Sequence, residues 1–188
     1  MPEPNPAALD FMLTRRSRPA KTLSRPAPDA AALRTLFTAA ARVPDHGKLE
    51  PWRFIVLAPE ALARLARDAR ARAEAEGLDA AGIDKAARQF EQSPLAVAVI
   101  EVRKPSATIP AVEMTYSAGA ACLSLLNAAL AAGWGANWLT GWLAHDGAFA
   151  RETLGLSDDE RIAGFVHIGT ETAAPPERPR PAIDDIVT

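Results

Sequence analysis

The sequence predicts an α+β protein in which a small sheet is wrapped by helices. Four strand-like runs appear, at 54–57, 95–102, just after Gly135, and 161–170. Between them lie segments whose apolar residues recur at helical spacing. One of these, 111–132, is apolar nearly all round, and such a helix needs cover on more than one side.

Composition narrows the class. At 188 residues and 20.0 kDa the chain suits one domain, 1–188, with 173–188 as an extended tail. Apolar content of 48% and charged content of 23% exclude wholesale disorder. A net charge of −2 argues against nucleic acid as a general partner. The single cysteine, Cys122, sits in an apolar helical context and fits a buried thiol in a reducing, cytoplasmic setting. The amino terminus, Met-Pro-Glu-Pro-Asn-Pro, lacks the basic and apolar regions of a signal peptide. The apolar run 114–134 is interrupted by Thr115, Ser117, Ser124 and Asn127, so it reads as a buried helix rather than a membrane span.

In chain order, Asn5 caps a first helix that begins at Pro6 and carries Leu9, Met12 and Leu13 on one face. Arg15-Arg16-Ser17 follows where that helix gives out, placing two guanidinium forks and a hydroxyl together, a set suited to phosphate oxygens. The proline-rich stretch 24–28 reads as a linker. Asp29 then caps a second helix with Leu33, Leu36 and Phe37 as its buried stripe.

A polar loop, 42–53, comes next and holds Arg42, Pro44, His46, Gly47, Glu50 and Trp52. Pro44 disfavours helical geometry at Val43 and so ends the helix. Strand 54–57 is short and fully apolar, which predicts a central place in the sheet. Helix 59–76 is laced with arginines and acids as a solvated face, and 84–92 forms another helix.

Strand 95–102 is followed by helix 111–132, which Gly133 closes. Trp138, Leu139 and Thr140 lie on the strand entered through Gly133 and Gly135. Trp142 and His145 fall in a loop beyond it, and Asp146 caps a short helix through Leu154. His167 sits mid-strand in 161–170, where it reads as a packing residue. Residues 173–181 form a proline-rich extended tail that carries Arg178 and Arg180.

Arg15-Arg16-Ser17 followed by Pro44-Asp45-His46 and Pro51-Trp52, with Gly164 to Thr170 closing the last strand, resembles the nitroreductase family of FMN-dependent oxidoreductases, in particular its short bacterial branch. The likeness runs from about Leu9 to Thr170. It implies a mixed, mostly antiparallel sheet of four or five strands in an intertwined homodimer, with FMN at the interface. It also implies that Arg15, Arg16 and Ser17 bind the FMN phosphate and ribityl chain. Arg42, Pro44 and His46 would contact the flavin of the partner subunit, while Trp138, Leu139 and Thr140 line its ring. Arg178 or Arg180 would close over the phosphate, and Arg180 is the one selected.

Two positions depart from the family pattern. Pro19 stands where a further arginine is common, with Arg18 and Lys21 on either side, and Glu50 replaces a usual glutamine. Glu50 is expected to point away or to pair with Lys48. Residues 77–93 correspond to the family's variable active-site cover.

The resemblance implies ping-pong transfer of hydride from NAD(P)H to FMN and on to nitroaromatics, quinones or similar small acceptors. FMN carries the redox chemistry, which is why no side chain is assigned as a catalytic acid or base. No metal-ligand spacing, nucleophile elbow or Walker loop is present in the sequence. Two alternatives share the fold: a flavin-sequestering protein without efficient turnover, and an enzyme of oxygen-dependent flavin breakdown or dehalogenation.

Overall fold

Five strands and six α-helices make up the computed structural model, which describes residues 3–188. Met1 and Pro2, part of the amino-terminal segment read for a signal peptide, lie outside them. The strands are β1 (Leu23–Ser24), β2 (Trp52–Leu57), β3 (Ala96–Val102), β4 (Gly135–Leu139) and β5 (Glu160–Glu171). The helices are α1 (Pro6–Thr14), α2 (Ala30–Ala40), α3 (Pro59–Ala75), α4 (Ala80–Glu91), α5 (Ala111–Ala131) and α6 (Gly147–Leu154).

The sheet is built around β3 and β5. β3 pairs with β2 and β5, while β5 also takes β4 and, at its far end, β1. Every pairing among the described residues is antiparallel. Burial on both faces goes with the apolar run 96–100 that opens β3 ahead of Glu101: Ala96, Ala98 and Ile100 join the core under α3, α4 and α6, while Val97 and Val99 join the core under α2 and α5. The architecture is therefore α+β, a sheet covered by helices on each face.

Helix boundaries follow local chemistry. The side chains of Asn5, Asp29, Asp79 and Asp146 each accept a backbone N–H in the first turn of α1, α2, α4 and α6. Asp79 starts α4 four residues earlier than the pattern 84–92 implied, because the cap and not the apolar stripe sets the first turn. Asp146 also accepts from Arg72 Nε at 2.8 Å, which ties α6 to α3.

Three expectations are corrected. β2 lies at an edge rather than in the centre, with Val56 42% exposed. A short apolar run does not reveal which neighbours a strand acquires. The stretch 24–28 is not wholly a linker, since Ser24 belongs to β1 and pairs with Thr170. Trp142 to His145 form a 3-10 turn rather than an irregular loop.

Some apolar surface stays bare. Leu9, Met12 and Leu13 share one face of α1 as expected, but are 63%, 57% and 76% exposed. Val112, Tyr116 and Leu123 on α5 and Ile183, Ile186 and Val187 near the carboxyl end are exposed as well. By length and composition α5 could cross a membrane, yet its Ala121, Cys122, Leu125 and Ala129 are buried against the sheet and α2.

Candidate functional site

Arg15 emerges at the carboxyl end of α1, where the helix stops and the chain turns extended. Its Nη2 donates to Ser17 Oγ at 3.0 Å. Arg18 N–H then donates to the Ala136 carbonyl at 2.7 Å, fixing this stretch beside β4. The Arg18 side chain is paired with Glu171 at 2.9 Å. Arg16 Nη2 donates to the Pro176 carbonyl at 3.0 Å, drawing the tail across the same place.

The result is a concentration of positive charge from two distant parts of the chain. Burial lowers the Arg15 pKa from its ordinary value, and the guanidiniums of Arg180, Arg16 and Arg18 lower it further. Arg180 therefore lies within electrostatic reach of Arg15, although its own guanidinium also contacts Glu177 at 3.0 Å. Neither Arg15 nor Arg16 has a carboxylate partner within 4.0 Å among the described residues. Both Nε atoms are buried without a hydrogen-bond acceptor. Buried donors without acceptors are costly, so the cluster fits a ligand bearing anionic oxygens. A phosphate meets that requirement, and the residues fit the phosphate end of FMN.

β4 supplies a wall next to this cluster. Among the described residues its one strand partner is β5, and beyond the Arg18 N–H at Ala136 its other edge is open. Since the Ala136 carbonyl points out to Arg18, the alternation of the ladder turns the Trp138 N–H and C=O outward too. The Trp138 side chain goes elsewhere. It packs into the core beneath α2 and α5, against Gly164, with Nε1 buried and without a partner. Any contact from Trp138 to a ligand on the open edge would be through its backbone. Leu139 projects to the opposite face, toward α4, and Thr140 is half-buried at the strand's end.

Loop 42–50 forms a second, separate group. Pro44 is held by Ser117, whose Oγ donates to its carbonyl at 2.7 Å. His46 Nδ1 lies 2.7 Å from Glu113 Oε2. Asp45 accepts from Leu49 N–H and Glu50 N–H at 3.1 and 2.8 Å, closing the loop. Gly47 has φ 70°, and a Cβ there would strike Ile109, so both backbone and space call for glycine. Glu50 does not pair with Lys48. Both are exposed, with φ of 48° and 51°.

Arg42, Pro44 and His46 are exposed and share no hydrogen bond or ion pair with Arg15, Arg16 or Ser17 among the described residues. His46 and Pro44 sit at the amino-terminal half of α5, while Arg15 and Arg16 sit by the strand that follows its carboxyl end. From Ser117 to Ala131 is roughly 20 Å along the helix. One chain thus keeps the two predicted groups apart.

Sequence reasoning missed the partners that hold these groups: Glu113, Ser117, Glu171 and the Pro176 carbonyl. Each contact spans many residues, and none has a local signal. A charged cluster at a different end of the sheet was also unforeseen. There Glu101, 1% exposed, meets Arg161 at 2.7 Å and Thr115 at 3.1 Å, so its charge is already satisfied.

Comparison with known proteins agrees with this architecture. Residues 12–170 match the Nitroreductase family. The chain is 34% identical over 163 residues to YdjA of Escherichia coli K12, which carries the name NAD(P)H nitroreductase, covering 87% of each chain. A protein of the same name from Haemophilus influenzae is 36% identical over 165 residues, covering 87% of this chain and 88% of its own. Among solved structures, a nitroreductase-like protein of Bacillus cereus superposes with a TM-score of 0.80 at 23% identity, covering 100% of this chain and 97% of that one. A nitroreductase of Desulfovibrio desulfuricans solved in complex with FMN gives 0.76 at 22% identity, covering 99% and 98%. With its arginine cluster, its open β4 edge and this match over most of its length, the chain belongs to the nitroreductase family.

Proposed function

We propose that the protein is an FMN-dependent oxidoreductase that takes hydride from NADH or NADPH and reduces small electron-poor acceptors such as nitroaromatics and quinones. The observation that carries this reading is the pair of buried Nε atoms of Arg15 and Arg16, left without acceptors inside a cluster completed by Ser17 and Arg180. FMN, when bound, supplies the hydride-accepting and electron-donating chemistry. The chain's own residues bind and orient it. Arg15, Arg16, Ser17 and Arg180 hold the phosphate end. The backbone of Trp138, with Leu139 and Thr140, forms the wall for the ring. Relatives named as NAD(P)H nitroreductases, and a structural neighbour solved with FMN, support the assignment.

The working unit is a homodimer with FMN at the interface, in which Arg42, Pro44 and His46 of one chain complete the other chain's site. Two findings support this. The apolar faces of α1 and α5 are uncovered within one chain, and the two groups of site residues lie toward opposite ends of α5. A single FMN-binding domain acting on small molecules in the cytoplasm fits the lone buried Cys122 and the near-neutral charge.

The test is a visible spectrum of the purified protein followed by anaerobic addition of NADH or NADPH. A yellow protein that bleaches and regains colour with a quinone or nitroaromatic is the expected outcome. A yellow protein that neither donor bleaches would favour flavin sequestration. A colourless protein that takes up no added FMN would overturn the reading.

A further inference from the structure

Between α4 and the end of β4 lies a cavity of about 450 Å³ whose walls are mostly apolar. Leu78 and Ala86 form one side, and Leu139, Gly141 and Trp142 the other. Its size suits a small ring compound. Trp142 is 37% exposed on the 3-10 turn, so an indole face is available for stacking. Leu139 is shared with the strand assigned above to the flavin ring, so the cavity opens beside the place where electrons would be delivered.

Its polar content is small and directional. Lys85 is the only formally charged residue in the lining. No carboxylate lies within 4.0 Å of it among the described residues, because the neighbouring Asp84 is engaged by Arg88 and Arg70. Gln89 gives one amide N–H to the Ala86 carbonyl at 3.3 Å, keeping its second N–H and its amide oxygen for a ligand. An apolar slot with one stacking face and one uncommitted ammonium complements a flat ring that carries a negative group.

The other cavities differ. The one lined by Glu101, Asp146, Glu160 and Arg161 is a polar, charge-rich cavity in which those four side chains are paired with one another or with Arg72 and Arg53, and Arg151 and Asp158 line it as well. The groove by Pro26, Pro59 and Pro94 offers no stacking aromatic on its open side.

We infer that this cavity is the acceptor site and that Lys85 makes the enzyme prefer electron-poor aromatics bearing an anionic group. The inference rests on the proposed oxidoreductase reading. An ion pair between a bound carboxylate and an exposed ammonium, with one apolar wall, is worth about a two- to fivefold preference.

The probes are 4-nitrobenzoate and its uncharged counterpart 4-nitrobenzamide, used with FMN-loaded protein and with Lys85→Gln. Two readouts are taken: kcat/KM for each acceptor, and Kd for each by calorimetry on the oxidised protein, which needs no turnover. The expected result is that the benzoate-to-benzamide preference falls about two- to fivefold in Lys85→Gln by both readouts, with Lys85→Arg retaining most of it. Trp142→Ala should weaken both ligands together by a similar factor.

An unchanged preference in Lys85→Gln would overturn the inference. So would an equal loss for both acceptors, which would place Lys85 at the flavin instead. Failure of NADH and NADPH to reduce the wild-type protein would defeat the functional reading, while the calorimetric comparison would still decide the cavity.

Discussion

Arg16 donates a 3.0 Å hydrogen bond to the carbonyl of Pro176, so the segment that follows the first helix and the carboxyl-terminal tail meet across 160 residues of sequence. That single contact sets the tail beside the arginine cluster and brings Arg180 within electrostatic reach of Arg15. The arginine cluster thus draws on both ends of the chain.

The first prediction concerns the cluster. Replacing Arg15 and Ser17 together by alanine should lower FMN affinity by about 100-fold, the cost of losing a charge-assisted fork and a hydroxyl. Arg180→Ala should cost about five- to tenfold, since that side chain is exposed and shared with Glu177. Fluorescence titration of flavin into the stripped protein measures both, and an unchanged Kd in the double variant would sink the phosphate assignment.

The second prediction concerns the bare faces. Leu13→Glu combined with Tyr116→Glu should convert the proposed dimer to a monomer in analytical ultracentrifugation, because charges would then occupy exposed apolar surface that a partner would cover. The same variant should lose FMN affinity by about tenfold or more if the partner's loop completes the site. A wild-type protein that sediments as a monomer would refute the shared-site proposal directly.

Gly164 supports the third. A methyl group there would overlap the Trp138 indole and crowd the Leu139 carbonyl, 3.2 Å away. Gly164→Ala should therefore destabilise by about 1–3 kcal/mol, the usual cost of overpacking. Thermal unfolding should show a Tm lowered by roughly 2–12 °C for a chain of this size. The shorter Trp138→Phe, added to it, should recover part of the loss. No recovery would mean that the indole is not what the methyl group meets.

Acid stability supplies the fourth. His167 is fully buried, with neither ring nitrogen hydrogen-bonded among the described residues, and burial lowers its pKa to about 4 from 6.5. The unfolded chain therefore binds a proton that the folded chain refuses, and stability falls as pH drops from about 6.5 toward 4. The slope attributable to this group is at most about 1.4 kcal/mol per pH unit. His167→Leu should flatten that slope in chemical denaturation series, and an identical slope would show that His167 is hydrated or paired in solution.

A lower window belongs to Glu160. The hydrogen bond from Arg53 Nε, at 2.6 Å, holds its pKa down to about 2 from 4.5 despite partial burial. A depressed carboxyl pKa contributes stability above its unfolded value, and that contribution is lost as pH falls from 4.5 toward 2. Because Arg53 is 42% exposed, solvent screening reduces the pair to roughly 1–2 kcal/mol. Glu160→Gln should cost about that at pH 7, and the difference from wild type should close near pH 2.

The sequence by itself determined whatever depends on near neighbours. Asn5, Asp29 and Asp146 cap the helices they precede because a cap needs only a side chain three residues from an N–H. The alternating small and branched apolar residues of 96–100 mark β3 as a strand. Arg15-Arg16-Ser17 sets two guanidinium forks and a hydroxyl side by side, a set that the family resemblance, not composition, points toward phosphate. Tertiary structure decided the rest. β2's place at the edge, the tail's path over Arg16, Glu113 beneath His46 and the turning of the Trp138 indole onto Gly164 all join residues far apart in the chain. Such contacts are selected by the packing of whole elements against the sheet, whose free energy depends on the complete set of neighbours rather than on any local pattern.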